Sequence, residues 1–472
     1  MLFNTVEELL KYTERIKGKT FGCFDKDNVL NSMVKDKGIL GKIIENGFYG
    51  YSNNNLAQAD FNNLGVELKV TGYIKNKNGT ISAKERLVLS KINYNEIIVE
   101  EFNFSKLLFK NKKILIIWYE YDHGKEYKDF LITDYQLYDM SNDELIIQND
   151  FQIIKEKVIS GNAHLLSEGD TSYLGACVKG VDGNDRVAQP FSDVLAKPRA
   201  FSLKQSYLTG VLRSLEFGLE VDDIEYKTIE EYVFSQIKKF VGKTQLEIYC
   251  ELFKKNLSDV DEDAVPKNLS KMISDKVFGS DNELSERNAL FSKVNFIIKN
   301  VPVDSEMYPL DRMAFRTISH SEFAYSWNES EWKSFFEELT IVCICYEGSR
   351  DVRNGYRRLK CVKKISFNDD EIDSFGKTYN MVKSAIEAKD ISLLPYPNSF
   401  KNQYLEIAPK GQKGDNAYIT FFNKDKTKVC FMMNKDFIFS KLKDSFETQR
   451  ESDTKIKEEY PDVHNDCLLN IK

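Results

Sequence analysis

The chain repeats itself, and that repeat restricts its fold to two copies of one domain. Gly18-Lys-Thr20 recurs as Gly242-Lys-Thr244, and Lys42-Ile-Ile-Glu-Asn-Gly-Phe-Tyr-Gly50 is echoed by Lys271-Met-Ile-Ser-Asp-Lys-Val-Phe-Gly279. Val66-Glu-Leu-Lys69 answers to Phe296-Ile-Ile-Lys299, and Glu85-Arg-Leu-Val-Leu-Ser-Lys-Ile92 to Asp311-Arg-Met-Ala-Phe-Arg-Thr-Ile318. The apolar run Ile114-Leu-Ile-Ile-Trp-Tyr-Glu-Tyr121 matches Thr340-Ile-Val-Cys-Ile-Cys-Tyr-Glu347. Tyr173-Leu-Gly-Ala-Cys-Val-Lys-Gly180 matches Tyr404-Leu-Glu-Ile-Ala-Pro-Lys-Gly411, and Ala200-Phe-Ser-Leu-Lys-Gln-Ser-Tyr207 matches Cys430-Phe-Met-Met-Asn-Lys-Asp-Phe437. Each echo alone is weak. Their common order and similar separations make a tandem duplication. The first copy spans residues 1–222 and the second 228–472, joined near Val221-Asp-Asp-Ile-Glu-Tyr-Lys227. A length of 472 residues suits two domains of ordinary size.

Within a copy the elements are mixed α/β, with a largely antiparallel sheet. Leu40, Ile43 and Ile44 have helical spacing within 35–45. Strands are expected at about 64–71, 86–94 and 113–121, and Asn76-Lys-Asn-Gly79 carries hairpin chemistry. A helix over about 150–160 is expected to start on Asp150 as cap and to stop at Gly161.

The first copy carries Asp60-Phe-Asn-Asn-Leu-Gly-Val-Glu67-Leu-Lys69. On a strand, side chains two apart share a face, so Val66, Leu68 and Val70 enter a core while Glu67 and Lys69 point together to the other side. Two carboxylates and an ammonium so placed can hold a divalent metal and position a water, which is what phosphodiester hydrolysis needs. The second copy loses the set. Glu45 falls opposite Ser274, Glu67 opposite Ile297, and Asp60 near Ala289 or Leu290; only Lys69 keeps its type, as Lys299. An isoleucine cannot bind magnesium, which demands oxygen ligands. Catalysis is therefore assigned to the first copy alone. The competing reading, Glu67–Lys69 as a surface ion pair, would contribute little.

Residues 69–91 hold Lys69, Lys75, Lys77, Lys84, Arg86 and Lys91 against Glu85 alone, a charge pattern able to track phosphates. The net charge of −7 and pI near 5.5 argue against coating nucleic acid by bulk charge but allow a local basic cleft. Gly-Lys-Thr at 18–20, 242–244 and 376–378 lacks the earlier glycine of a phosphate-cradling loop. Ser167-Glu-Gly-Asp-Thr-Ser172 reads as a turn rather than a nucleophile site. The eight cysteines are scattered without zinc spacing, and the four histidines are dispersed. The sequence shows no apolar run long enough for a membrane span and no signal-peptide layout, so a cytoplasmic protein with free thiols is expected.

Lys35-Asp-Lys-Gly-Ile-Leu-Gly-Lys-Ile-Ile-Glu45, the 60–69 motif and Pro198-Arg-Ala-Phe-Ser-Leu-Lys204 resemble the MutH family in order and spacing. Lys84-Glu-Arg-Leu-Val-Leu89 and Leu166-Ser-Glu-Gly-Asp-Thr-Ser-Tyr-Leu174 look like its restriction-enzyme branch, the GATC-cleaving Sau-three-A-I type. The resemblance implies a PD-(D/E)xK restriction-endonuclease-like fold, duplicated in two tandem domains, and magnesium-dependent cleavage of duplex DNA at GATC. It implies that Asp60 and Glu67 are metal ligands, that Glu45 assists, and that Lys69 orients the attacking water. It further implies DNA contacts by Lys37, Lys84, Arg86, Lys179, Ser202 and Lys204, and by Lys410 in the second copy. There are departures: Cys177-Val-Lys179 stands where MutH has Arg-Pro-Lys, and Ser202 where it has tyrosine, so sensitivity to adenine methylation does not carry over. The second copy is expected to bind DNA as an effector without cutting. A methyltransferase acting on the same site is implied without direct contact, and the chain is expected to be a monomer or a DNA-induced dimer. The alternatives are a nicking enzyme of a mismatch-repair-like pathway and a non-cleaving DNA-binding regulator.

Overall fold

The computed structural model describes residues 2–31, 38–51, 58–76, 79–180, 184–217, 226–260, 265–279, 289–410, 416–425 and 428–443. The chain divides into two compact units. Unit 1 is Met1–Thr228 with Ser285–Asn295, and unit 2 is Ile229–Leu284 with Phe296–Lys472. In unit 1, Lys293 of the added segment makes a buried ion pair with Asp143 at 2.8 Å.

Unit 1 is built on β1 (Val66–Lys75), β2 (Ile81–Ala83), β3 (Leu87–Lys91), β4 (Lys113–Glu120), β5 (Leu131–Asp139), β6 (Leu174–Val178), β7 (Val187–Gln189), β8 (Ser192–Ala196) and β9 (Arg199–Leu203). One sheet has the order β2-β1-β4-β5, and a second β3-β9-β6. β1 and β2 pair antiparallel and Gly79 has φ +85°, while Lys77 and Asn78 of the expected hairpin turn lie outside the described residues. The sheet departs from the antiparallel expectation at its centre, where β1 and β4 run parallel. A parallel pair needs a long crossover, here containing the helix Lys106–Asn111. Ile114, Leu115, Ile116, Ile117 and Trp118 are all fully buried, as a strand covered on both faces requires.

Unit 2 contains β10 (Phe296–Val303), β11 (Met313–Thr317), β12 (Thr340–Glu347), β13 (Arg358–Ile365), β14 (Leu405–Pro409) and β15 (Val429–Met433). Its sheets are β10-β12-β13 and β11-β15-β14, with β10 parallel to β12 and β12 antiparallel to β13. The duplication is thus visible in register. Glu67 pairs with Ile114 and Ile297 with Ile341; Lys69 pairs with Ile116 and Lys299 with Cys343. Local devices repeat too. Ser105 caps the helix before β4 by accepting the Leu108 N–H, and Ser330 caps Glu331–Glu338 before β12 by accepting the Lys333 N–H. Gly-Lys-Thr is an edge bridge in both units, Thr20 pairing with Leu131 and Thr244 with Arg358.

The helix expected to begin at Asp150 runs over Glu144–Ile159 instead. Asp150 lies inside it, fully buried, and accepts the backbone N–H groups of Ser172, Tyr173 and Leu174 at 2.8, 2.6 and 2.9 Å. The stop at Gly161 is observed, with φ +71°.

Candidate active site

The site gathers at the start of β1. The chain enters through the turn Asn62–Leu64, and Gly65 at φ +64° turns it into the strand. Val66 and Leu68 pack into the core with Ile43, Ile44 and Tyr49, and the intervening side chains take the other face. Asp60 is fixed against β1 because its Oδ2 accepts the Leu68 N–H at 2.9 Å. Glu67 is only 2% exposed, which removes the surface ion-pair reading. Its Oε1 lies 2.7 Å from Lys69 Nζ and 3.5 Å from Lys110 Nζ, the latter on the helix Lys106–Asn111.

Glu45 reaches the site from a different backbone form. The α-helix Ile39–Ile43 widens into a π-helical segment, Ile44–Tyr49, with Glu45 in its first turn; such segments often mark functional sites. Gly47 lets this segment pass the loop below, since a Cβ there would overlap the Phe24 carbonyl. Partial burial, then the charges of Asp60 and Glu67, push the Glu45 carboxyl up to about 7. Burial, opposed by Lys69, likewise raises Glu67. Burial, then Asp60 and Glu45, hold the Tyr51 phenol far above its ordinary range.

Among the described residues, no three His, Cys, Asp or Glu side chains converge into a ready-made metal cage. The donor chemistry nonetheless fits a hard divalent cation. Three carboxylates lie close enough to repel one another, and Glu67 Oε2 is buried with no hydrogen-bond partner. A buried anionic oxygen left in that state calls for a cation.

At the corresponding place in unit 2 the described residues bear other side chains. Ile297 packs against the core, Ser274 Oγ bonds Asn300 Oδ1 at 2.9 Å, and Lys299 Nζ donates to the Ala314 carbonyl at 2.8 Å.

The expected DNA contacts scatter. Lys37 and Lys77 lie outside the described residues. Lys84 is half-buried, its Nζ 3.6 Å above the Tyr121 ring, and burial lowers its pKa. Arg86 pairs with Glu168 Oε1 at 2.6 Å. Lys179 is exposed at the end of β6. Two assignments need correction. Ser202 is fully buried and Lys204 is 1% exposed, because β9 is the middle strand of its sheet. Lys204 Nζ donates to the Thr171 carbonyl inside the fold. Lys410 Nζ donates to the Phe315 carbonyl at 3.1 Å within unit 2. Residues 167–172 form the expected turn, closed by mutual bonds between Ser167 and Asp170. Lys110 escaped the sequence reading because it sits among Lys106, Lys112 and Lys113 with nothing to distinguish it; only the parallel β1–β4 crossover brings it to Glu67.

Residues 49–150, which carry Asp60, Glu67, Lys69 and Lys110, match the family described as DNA mismatch repair enzyme MutH. The type II restriction enzyme Sau3AI of Staphylococcus aureus is 33% identical over 365 residues, covering 72% of this chain and 72% of that one.

Proposed function

Since the chain belongs to the MutH-like type II restriction endonucleases of the Sau3AI type, a family of site-specific deoxyribonucleases, we propose that it cuts both strands of DNA at GATC with magnesium. The observation that carries this reading is Glu67. It is buried beside Lys69 and Asp60 in unit 1, at the register position where unit 2 has Ile297.

Asp60 and Glu67 are the oxygens that would hold the cation, with Glu45 beside them. Magnesium, when bound, supplies a Lewis acid at the scissile phosphate. Lys69 orients the attacking water and donates to the phosphate oxygens as charge builds on them. Lys110 adds a second ammonium at the same Glu67 oxygen, 3.5 Å from Oε1. Lys110→Met is expected to lower kcat by about 10²-fold with little change in KM, measured by steady-state cleavage of a duplex. A change confined to KM would make Lys110 a binding residue only.

Unit 2 binds DNA as an effector without cutting. Cells holding this activity require a methyltransferase that protects the same site. Plasmids with no, one or two GATC sites test the whole reading. Linear product from site-bearing plasmids supports a restriction enzyme, nicked circles a nicking enzyme, and no cleavage overturns the proposal. Faster cutting of the two-site plasmid supports the effector role, and equal rates remove it.

A further inference from the structure

Both units set an arginine against a buried glutamate at the corresponding place, yet the glutamate comes from different points of the sequence; Arg86 is partly buried and Arg312 is exposed. In unit 1, Arg86 stands one residue before β3 and contacts Glu168 Oε1 at 2.6 Å, with the Glu168 side chain 6% exposed. Glu168 is supplied by the 167–172 turn. Its other oxygen lies against Gly175 of β6, where any Cβ would overlap it. In unit 2, Arg312 stands one residue before β11, and its Nε lies 2.7 Å from Glu406 Oε1, an ion-pair contact without hydrogen-bond geometry.

Glu406 occupies the Gly175 position. Leu174 and Leu87 both pair with Leu203, and Gly175 with Ser202; Leu405 and Met313 both pair with Met433, and Glu406 with Met432. Unit 1 thus has glycine on the strand and a carboxylate from the turn; unit 2 has the carboxylate on the strand itself. Burying a carboxylate is costly, and burial raises the Glu406 pKa against the pull of Arg312. A buried carboxylate kept beside the arginine while its position in the sequence moves points to the arginine at the strand start as the element being held.

We propose that Arg86 is a positioning residue for the sheet β3-β9-β6, whose strand β6 leads to the exposed Lys179, clamped by a carboxylate whose seat is fixed in space but not in sequence. The proposal rests on the DNA-cleaving reading above, and it replaces direct DNA contact as the role of Arg86. The clamp rests on the strand that leads to Lys179, because Glu168 Oε2 lies against Gly175 of β6. In unit 1 the clamp also ties the 167–172 turn to β3.

The twin supplies the test. Full-length Glu168→Ala, Gly175→Glu and the double variant are compared for kcat/KM on a GATC duplex and on duplexes changed at one base, with thermal unfolding as a check on folding. Glu168→Ala is expected to lower the cognate to near-cognate ratio by about tenfold, and Gly175→Glu alone to do the same by displacing Glu168. The double variant rebuilds the unit 2 arrangement and should return the ratio to within about threefold of wild type. A merely structural role would lower all rates together and leave the ratio unchanged. An unchanged ratio in Glu168→Ala, or a double variant no better than the worse single one, overturns the proposal. If Glu168→Ala does not fold, recovery of folding and selectivity in the double variant supports the clamp and failure to recover overturns it. A wild type selective for another site overturns the GATC reading alone, because the ratio can then be taken on that site.

Discussion

Glu67→Ala should cut DNA at least about 10³-fold more slowly than wild type while binding duplex with affinity within about tenfold. The substitution removes the buried carboxylate whose Oε1 is shared by Lys69 and Lys110 and whose Oε2 has no partner. The two ammoniums remain, so attraction for phosphate is not lost. The fold should also survive, because unit 2 carries Ile297 at the same register position without losing the sheet. Glu67→Ile, the twin's own residue, is the companion variant. Single-turnover cleavage with magnesium and gel-shift affinity in chelator separate the two effects. Cleavage within tenfold of wild type would remove Glu67 from the reaction centre.

Asp150→Ala should destabilise unit 1 by about 3–5 kcal/mol. One fully buried carboxylate accepts three consecutive amides at the start of β6, and Lys204 donates to the neighbouring Thr171 carbonyl. Alanine strands three donors where water cannot reach them. Asp150→Asn keeps one acceptor oxygen and should lose less. Hydrogen exchange of the Tyr173 and Leu174 amides, alongside thermal unfolding, measures the loss directly. Wild-type protection in the alanine variant would refute the account.

The sequence exposes what depends on periodicity and spacing. The three expected strands and the 60–69 motif lie where their patterns put them, and β1–β4 and β10–β12 pair in the same register. The contiguous split into 1–222 and 228–472 does not match the compact units, since Ser285–Asn295 packs with unit 1. The sequence hides what depends on tertiary burial. Asp150 looks like a helix cap because aspartate commonly is one, whereas here its partners lie more than twenty residues downstream. Ser202 and Lys204 carry a family motif, but the motif does not reveal that β9 is a middle strand. The parallel β1–β4 pair leaves no local signature, so Lys110 could not be told from its neighbours. The Arg86 clamp was invisible for the opposite reason: its two halves are far apart in sequence, and in the twin one half has moved.

The raised Glu45 carboxyl makes the stability of unit 1 a function of proton activity. An ordinary glutamic acid ionises near 4.5, whereas folded Glu45 keeps its proton up to about 7. The folded state therefore holds an extra proton across that window. Its contribution to stability is fully present below pH 4.5 and is lost as pH rises through about 7. In chelated protein, calorimetry should show unit 1 melting lower at pH 8 than at pH 5, by a margin that Glu45→Gln reduces. Identical pH slopes in the two proteins would remove Glu45 from the linkage. Protons and divalent cations then compete for one carboxyl, and acidification should weaken cation uptake before it unfolds the chain.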